Sequence, residues 1–283
     1  MAPRRSAAYP RRDEAQVTTA PHVHRPVGEL LRQWRERRRL SQLELALQAE
    51  ISTRHLSFVE TGRAMPSRDM VLRLAAQLDL PLRERNHLLL AAGYAPVYAE
   101  TALDAPHMAA VRAAVRQVLA GHEPYPAIVV DRGWNLVEAN TGVALFTAGV
   151  APELLAPPTN ALRVSLHPAG MAPRIVNQGE WRAHLLGRLR RQIALTAAPA
   201  LAALYDELRA YPCAHPEPAI ELPGPGDIVV PLRLRHGDRT LAFFSTVATF
   251  GTPLDITVAE LAIESFHPAD AETASVLHAL AEH

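Results

Sequence analysis

The sequence predicts two folds in succession: an all-α unit of five helices over residues 27–96, then an α+β module with a central antiparallel sheet over 104–283. Three observations predict it. Between Val27 and Gly93, apolar residues recur at helical spacing in short segments, several of them opened by a capping residue. Beyond Gly121 the period changes, and two pairs of short apolar or alternating runs flank Arg132-Gly133 and His236-Gly237-Asp238, as the strands of hairpins do. The charge also divides. Formal net charge is zero over 283 residues, yet residues 1–96 carry 16 Arg against 10 Asp and Glu, and the remainder carries 13 Arg against 19. A chain of this length holds about two domains. A basic first part suits a polyanion, while an acidic second part stays off it.

Residues 1–26 are rich in Ala, Pro and Arg without periodicity, and a disordered basic tail is expected there. Arg4, Arg5, Arg11 and Arg12 suit phosphates or a minor groove; a solvated tail with no specific role is the plainer reading. Residues 27–38 form a first helix with Val27, Leu30, Leu31 and Trp34 on one face. Ser41 and Glu44 make a capping box for a second, with Leu45 and Ala46 as its apolar face. After a short turn Ser52 caps a third, which turns Leu56 and Val59 inward and ends at Thr61-Gly62. Ser67, after Pro66, caps a fourth over 67–78, with Val71, Leu74, Ala75 and Leu78 inward. A fifth, 82–92, stops at Gly93 and is apolar enough to cover the bundle or join two protomers. Pro96 to Asp104 makes the boundary.

Two short helices joined by a turn of a few residues, as over 41–63, form a helix-turn-helix, whose second helix lies in the DNA major groove. An αα-hairpin that merely packs is the bland alternative. The outward face of the third helix favours DNA: Thr53, Arg54, Ser57 and Phe58 supply a fork-shaped cation, two hydroxyls and one apolar ring, with little acid. Arg can bond guanine O6 and N7 together, hydroxyls suit several base edges, and Phe can touch a thymine methyl.

In the second part, Asp104 is expected to cap a helix with Pro106 in its first turn and Met108, Val111, Val115 and Val118 on one face, ending at Gly121. Ala127–Asp131 and Trp134–Ala139 read as a hairpin, and Asn140 opens a short helix. Residues 150–178, with five prolines, read as loop. Helices follow over 179–197, with Trp181, Leu185, Leu189 and Ile193 on one face, and over 199–210. A proline-rich linker, 211–226, leads to a second hairpin, Ile228–Arg235 with Arg239–Thr249. Glu260–Phe266 is a strand or a helix, and Asp270 caps a last helix. A sheet covered on one side by helices forms a natural small-molecule cavity.

Residues Val27 to Leu80 resemble the phage-repressor-like, or XRE, helix-turn-helix family through Leu31-Arg32, Arg35, Ser41-Gln42, Glu44-Leu45-Ala46, Glu60, Gly62, Pro66-Ser67 and Leu74-Ala75. The resemblance implies double-stranded DNA as partner. It places Gln42 on a phosphate, Thr53, Arg54, Ser57 and Phe58 on bases beside the cap Ser52, and Thr61 and Arg63 on the backbone. It also implies an ion pair between Arg35 and Glu60. Glu50 stands where the family often has Gly; a left-handed Glu costs on the order of 1–2 kcal/mol, so a turn of different shape is expected. Residues 104–280 resemble the ligand-binding domain of MmyB-like regulators, a PAS-like fold. The carrying residues are Pro126, Trp134, Asn140, Asn160-Ala161-Leu162-Arg163, Leu166-His167-Pro168, Asn177, Val230-Pro231-Leu232, Phe250-Gly251-Thr252-Pro253 and Phe266-His267-Pro268-Ala269-Asp270. That likeness implies a sensor for a fatty acid or similar lipid. For such an effector we expect an apolar slot drawn from Trp134, Leu136, Phe146, Leu162, Leu185, Leu189, Phe243 and Phe244. Arg163 is the choice for the carboxylate, with Asn140, His167 and Asn177 as further donors; the alternative is that Arg163 pairs with a structural acid.

Other chemistries find little support. A single cysteine, Cys213, excludes an intrachain disulfide, and the closest His pair, His22-x-His24, lies in the tail, so neither metal nor cofactor is expected. No run of about 18 apolar residues spans a membrane, and no apolar signal segment begins the chain, so a cytoplasmic protein is expected. No Walker loop, GxGxxG after a strand or GxSxG elbow occurs, and no carboxylate pair suits acid–base work. A ligand-responsive DNA-binding regulator is therefore preferred to an enzyme acting on a lipid or carbonyl compound with an appended DNA-binding domain. A protein-interaction platform, which needs an apolar surface patch and no cavity, is a third reading. One five-helix unit reads few base pairs, so a homodimer on a near-palindromic operator is expected, with half-site centres roughly 34–36 Å apart or a multiple.

Overall fold

The computed structural model describes residues 26–215 and 230–282. The basic tail with its His22-x-His24 pair, and the linker and strand residues from Pro216 through Val229, lie outside that range. Five helices come first: α1 (Val27–Arg37), α2 (Gln42–Gln48), α3 (Thr53–Glu60), α4 (Arg68–Gln77) and α5 (Leu82–Ala91). The expected capping residues act as such. Ser41 and Glu44 form the reciprocal box, and the Ser52 and Ser67 hydroxyls accept from His55 N and Met70 N. Leu31, Leu45, Leu56, Val59, Val71, Leu74, Leu88 and Leu89 are buried in one core. Each such side chain contributes roughly 1.5–3 kcal/mol of transfer free energy. Helix α1 crosses α3 at Gly28, where a Cβ would stand 2.2 Å from the Val59 carbonyl oxygen.

All five helices end the same way. A left-handed residue follows the C-cap, and the next N–H reaches back to a carbonyl in the last turn: Leu40 to Arg35, Ile51 to Ala46, Arg63 to Phe58, Leu80 to Ala75 and Tyr94 to Leu89. Gly62 and Gly93 supply the left-handed residue twice, but Arg39, Glu50 and Asp79 supply it elsewhere, at φ between 49° and 57°. The turn at Glu50 is thus not of a different shape. It keeps the left-handed geometry with a non-glycine residue, because the closure returns Ile51 to the core.

The segment after α5 is bound to both sides. Asn86, buried on α5, accepts from the Val97 and Tyr98 N–H groups and donates to the Tyr98 carbonyl. Ala99 then bridges Asp255, with Ile256 N donating to Ala99 O at 2.8 Å.

The second part holds a five-stranded antiparallel sheet in the order β2-β1-β5-β4-β3. Its strands are β1 (Ala127–Val130), β2 (Leu136–Ala139), β3 (Leu232–His236), β4 (Arg239–Ala248) and β5 (Ala262–Pro268), so the undecided segment is a strand, at the centre of the sheet. Both sheet faces are covered, not one. Helix α6 (Ala109–Gly121) sets Val115 and Leu119 against Ala127, Val129, Leu261 and Ile263. It begins in a 3-10 turn at Pro106, and Ala105, not Asp104, is the residue before it. The other face carries the larger core. Helices α10 (Gln178–Thr196) and α11 (Pro199–Ala210) pack there with α7 (Ala144–Thr147), α8 (Pro152–Leu155) and α9 (Ala161–Leu166). Much of 150–178 is therefore short helix and not loop; Pro152 and Pro173 sit in first turns, where a missing N–H costs nothing. Helices α12 (Ile256–Ala259) and α13 (Ala271–Ala281) complete the chain, the latter capped by Asp270 as expected.

Candidate nucleic-acid interface and ligand cavity

Helix α3 buries Leu56, Val59 and Glu60 and leaves Thr53, Arg54, Ser57 and Phe58 partly or fully exposed. The Arg54 guanidinium lies over the Phe58 ring, 5.4 Å from its centroid, one helical turn apart. That contact presents the cation and the ring as one surface. Arg63 is exposed just beyond the helix, and the Thr61 hydroxyl donates back to the Ser57 carbonyl at 2.7 Å. Glu60 is the anchor beneath. Its carboxylate accepts two bonds from Arg35, at 2.7 and 2.9 Å, and a third from the Gln42 side-chain amide at 2.8 Å. Arg35 and Glu60 are both buried, and this bond holds the guanidinium pKa above its ordinary value. Gln42 is thus engaged inside the protein, tying the start of α2 to the end of α3.

The larger core surrounds a cavity of about 330 Å³. Strands β1, β2, β3 and β5 form one wall with Ile128, Leu136, Leu232, Glu264 and Phe266, and Trp134 stands in the turn before β2. Phe146, Leu155, Leu162, Met171, Trp181 and Leu185 close it from the helical side and its connections. The polar side chains of the lining are mostly engaged with protein. Thr147 and Thr159 donate to carbonyls one turn back. The Trp134 indole N–H donates to Gln192, and the Trp181 N–H to the Ser165 hydroxyl.

Of the apolar residues expected around a ligand, Trp134, Leu136, Phe146, Leu162 and Leu185 line the cavity. Phe243 does not; it is fully buried behind Phe146, ring to ring at 5.5 Å. Leu189 and Phe244 also lie outside the lining. None of the four polar choices lines it, and each is spent on the fold. Arg163 pairs through Nε and Nη2 with the two Glu207 oxygens, at 2.8 and 2.7 Å, because its position on α9 points it toward α11. It is the structural ion pair, not a carboxylate anchor facing the cavity. Asn140 joins the β1–β2 hairpin to the α6–β1 connection by accepting from Ala127 N and donating to Tyr125 O. His167 accepts from Ala169 N, and Asn177 fixes the start of α10 to β3 through Pro231 O and Arg233 N. Asn140, His167 and Asn177 stand beside turns, where a polar side chain satisfies backbone groups, whereas Arg163 is spent on a side-chain acid.

The residue that sequence reasoning missed is Glu264. Strand β5 alternates, setting Ile263 on the α6 face and Glu264 with Phe266 on the cavity face. Glu264 Oε1 accepts from Arg188 Nη1 at 2.7 Å, and the Arg188 guanidinium stacks on Trp134 at 4.8 Å. The signal was an acid inside the run Leu261–Phe266, but its face has meaning only once the segment is known to be a strand.

Behind Trp134 and Glu264 lies a second cavity, about 280 Å³, lined also by Pro81, Arg83, Glu84, Arg132, Arg188 and Glu260. Arg83, on α5, bonds Glu260 through two nitrogens at 2.8 Å each and Glu100 at 2.8 Å; Arg132 adds a bond to Glu260 at 3.3 Å. These ion pairs join the five-helix bundle to the sheet module. Hydrogen bonding to Arg83 holds the Glu100 carboxyl below its ordinary pKa.

Among known proteins, residues 111–280 match the family model of the MmyB-like transcription regulator ligand binding domain, and residues 26–88 match a helix-turn-helix domain model. No curated protein matches the chain. Among the described residues, no helix is long and apolar enough to cross a membrane.

Proposed function

The chain belongs to the family of MmyB-like transcription regulators with a ligand-binding domain, and from that premise we infer that it is a DNA-binding regulator whose sensor cavity takes a fatty acid or similar lipid. The observation that carries this reading is the cavity itself. Its volume falls at the lower end of small-molecule sites, and its wall is almost wholly aliphatic and aromatic. Residues 27–96 act as the DNA-binding unit and 104–283 as the sensor. Thr53, Arg54, Ser57 and Phe58 read base edges, while Arg63 and the N-terminus of α2 at Gln42 meet phosphates. Two such units form a homodimer on a near-palindromic operator. Ligand in the cavity presses on Trp134 and Glu264, the wall shared with the interdomain cavity, and so biases the Arg83–Glu260 contact.

Mass spectrometry of small molecules released from the natively purified full chain tests the sensor reading. A chain-like lipid at near-stoichiometric amount supports it. Recovery of only products after incubation with an acyl compound favours instead an enzyme acting on it. Sedimentation on operator DNA tests the dimer: a monomer saturating a single half-site contradicts it.

A further inference from the structure

We propose that Glu264 selects the ligand's head group, and that the head group is a hydrogen-bond donor, a hydroxyl or an amine, on an apolar chain. The proposal rests on the lipid-sensor reading and narrows it. A glutamate on the buried face of the central strand is an unusual choice for a core: Glu264 is only 4% exposed, between Ile128 on β1 and Val247 on β4. It is the one charged residue in the cavity lining among the described residues. Its Oε1 is held by Arg188, while Oε2 has no hydrogen-bond partner among those residues.

The rest of the wall offers a ligand few side-chain donors. Both indole N–H groups and the two threonine hydroxyls donate to protein, which leaves the Ser165 hydroxyl, itself an acceptor from Trp181, as the side-chain donor of the wall. Arg188 is not part of the wall; its guanidinium is stacked on Trp134 and bonded to Glu264. An ionised carboxylate can only accept hydrogen bonds. In this cavity it would face the Glu264 carboxylate, whose charge Arg188 already matches, and could give it no hydrogen bond. A hydroxyl or ammonium would instead complete the Glu264 carboxylate.

Calorimetric titration of the full chain with 1-decanol, decylamine, decanoate and decyl methyl ether at neutral pH tests this. The alcohol and the amine are expected to bind at least about tenfold tighter than decanoate, a difference of about 1.4 kcal/mol, with the ether also weaker than the alcohol. Glu264→Gln, which keeps the shape and a bond to Arg188, is expected to shrink the alcohol-over-carboxylate preference to near parity. Decanoate binding as tightly as the alcohol in the wild-type protein would overturn the head-group assignment and leave the lipid sensor standing. So would a preference unchanged in Glu264→Gln. Failure of all four chains to bind would overturn the lipid sensor and the assignment with it. The wild-type comparison does not depend on the variant's folding.

Discussion

Arg54 lays its guanidinium over the Phe58 ring on the outward side of α3, and we assign it to a base edge. Removing it is expected to cost about 1–3 kcal/mol at one base position and to relax preference there. A binding-site selection that returns the wild-type preference for Arg54→Ala would contradict the assignment. Gln42→Ala has a double consequence, because the amide also bonds Glu60: affinity falls alike on all sequences, and the melting temperature falls with it. Glu60→Gln leaves the buried Arg35 charge without its counter-ion, and about 3–5 kcal/mol of stability is expected to go. Melting within a degree of wild type would contradict that. Arg163 carries a pH signature. Hydrogen bonding to it, opposed by burial, lowers the Glu207 pKa below the ordinary 4.5. A depressed carboxyl pKa stabilises the fold above the ordinary range, and the contribution is lost as pH falls through the folded value. The pair is partly exposed, so Arg163→Gln is expected to cost less than about 1 kcal/mol at neutral pH, with the gap closing in acid and ligand affinity unchanged. The outward face of α3 was legible because helical spacing fixes which side chains are buried. The polar side of the cavity was not: Arg163, Asn140, His167 and Asn177 have the right chemistry for a ligand, and the same chemistry fits Arg163 to a structural acid and the other three to turns.

At the scale of elements, caps and glycines made most helix limits readable, and what they missed has a common cause. Gly62 and Gly93 announce their left-handed ends, whereas Arg39, Glu50 and Asp79 reach the same conformation without announcing it. The closing N–H bond and the partly or fully buried residue after each turn, Leu40, Ile51 and Leu80, hold them there. Glu50→Gly is therefore expected to stabilise the bundle by about 1 kcal/mol, read as a rise in melting temperature. A fall would show that the Glu50 side chain contributes more than its backbone strain costs. The strand β5 shows the opposite limit. Leu261 to Phe266 is apolar enough for either period, and only pairing with β1 and β4 fixes which residues face the cavity. The short helices of 150–178 escaped for a related reason: at four to six residues they are too short to display a period.

At the scale of the whole molecule, the change of charge balance and of hydrophobic period along the chain announced two folds in succession. It could not foresee how they are joined, since Arg83 and Glu260 are far apart in sequence. Arg83→Ala removes the bundle's bonds to Glu260 and Glu100 and is expected to leave DNA affinity near wild type while weakening its response to ligand. The most direct test of a ligand-responsive regulator is the DNA affinity of the full chain, on its selected operator, with and without saturating 1-decanol. Occupancy of the cavity is followed in the same samples by calorimetry. A change of several-fold or more in Kd that diminishes in Arg83→Ala is the predicted result; a Kd that stays constant while the cavity is demonstrably filled would contradict the account.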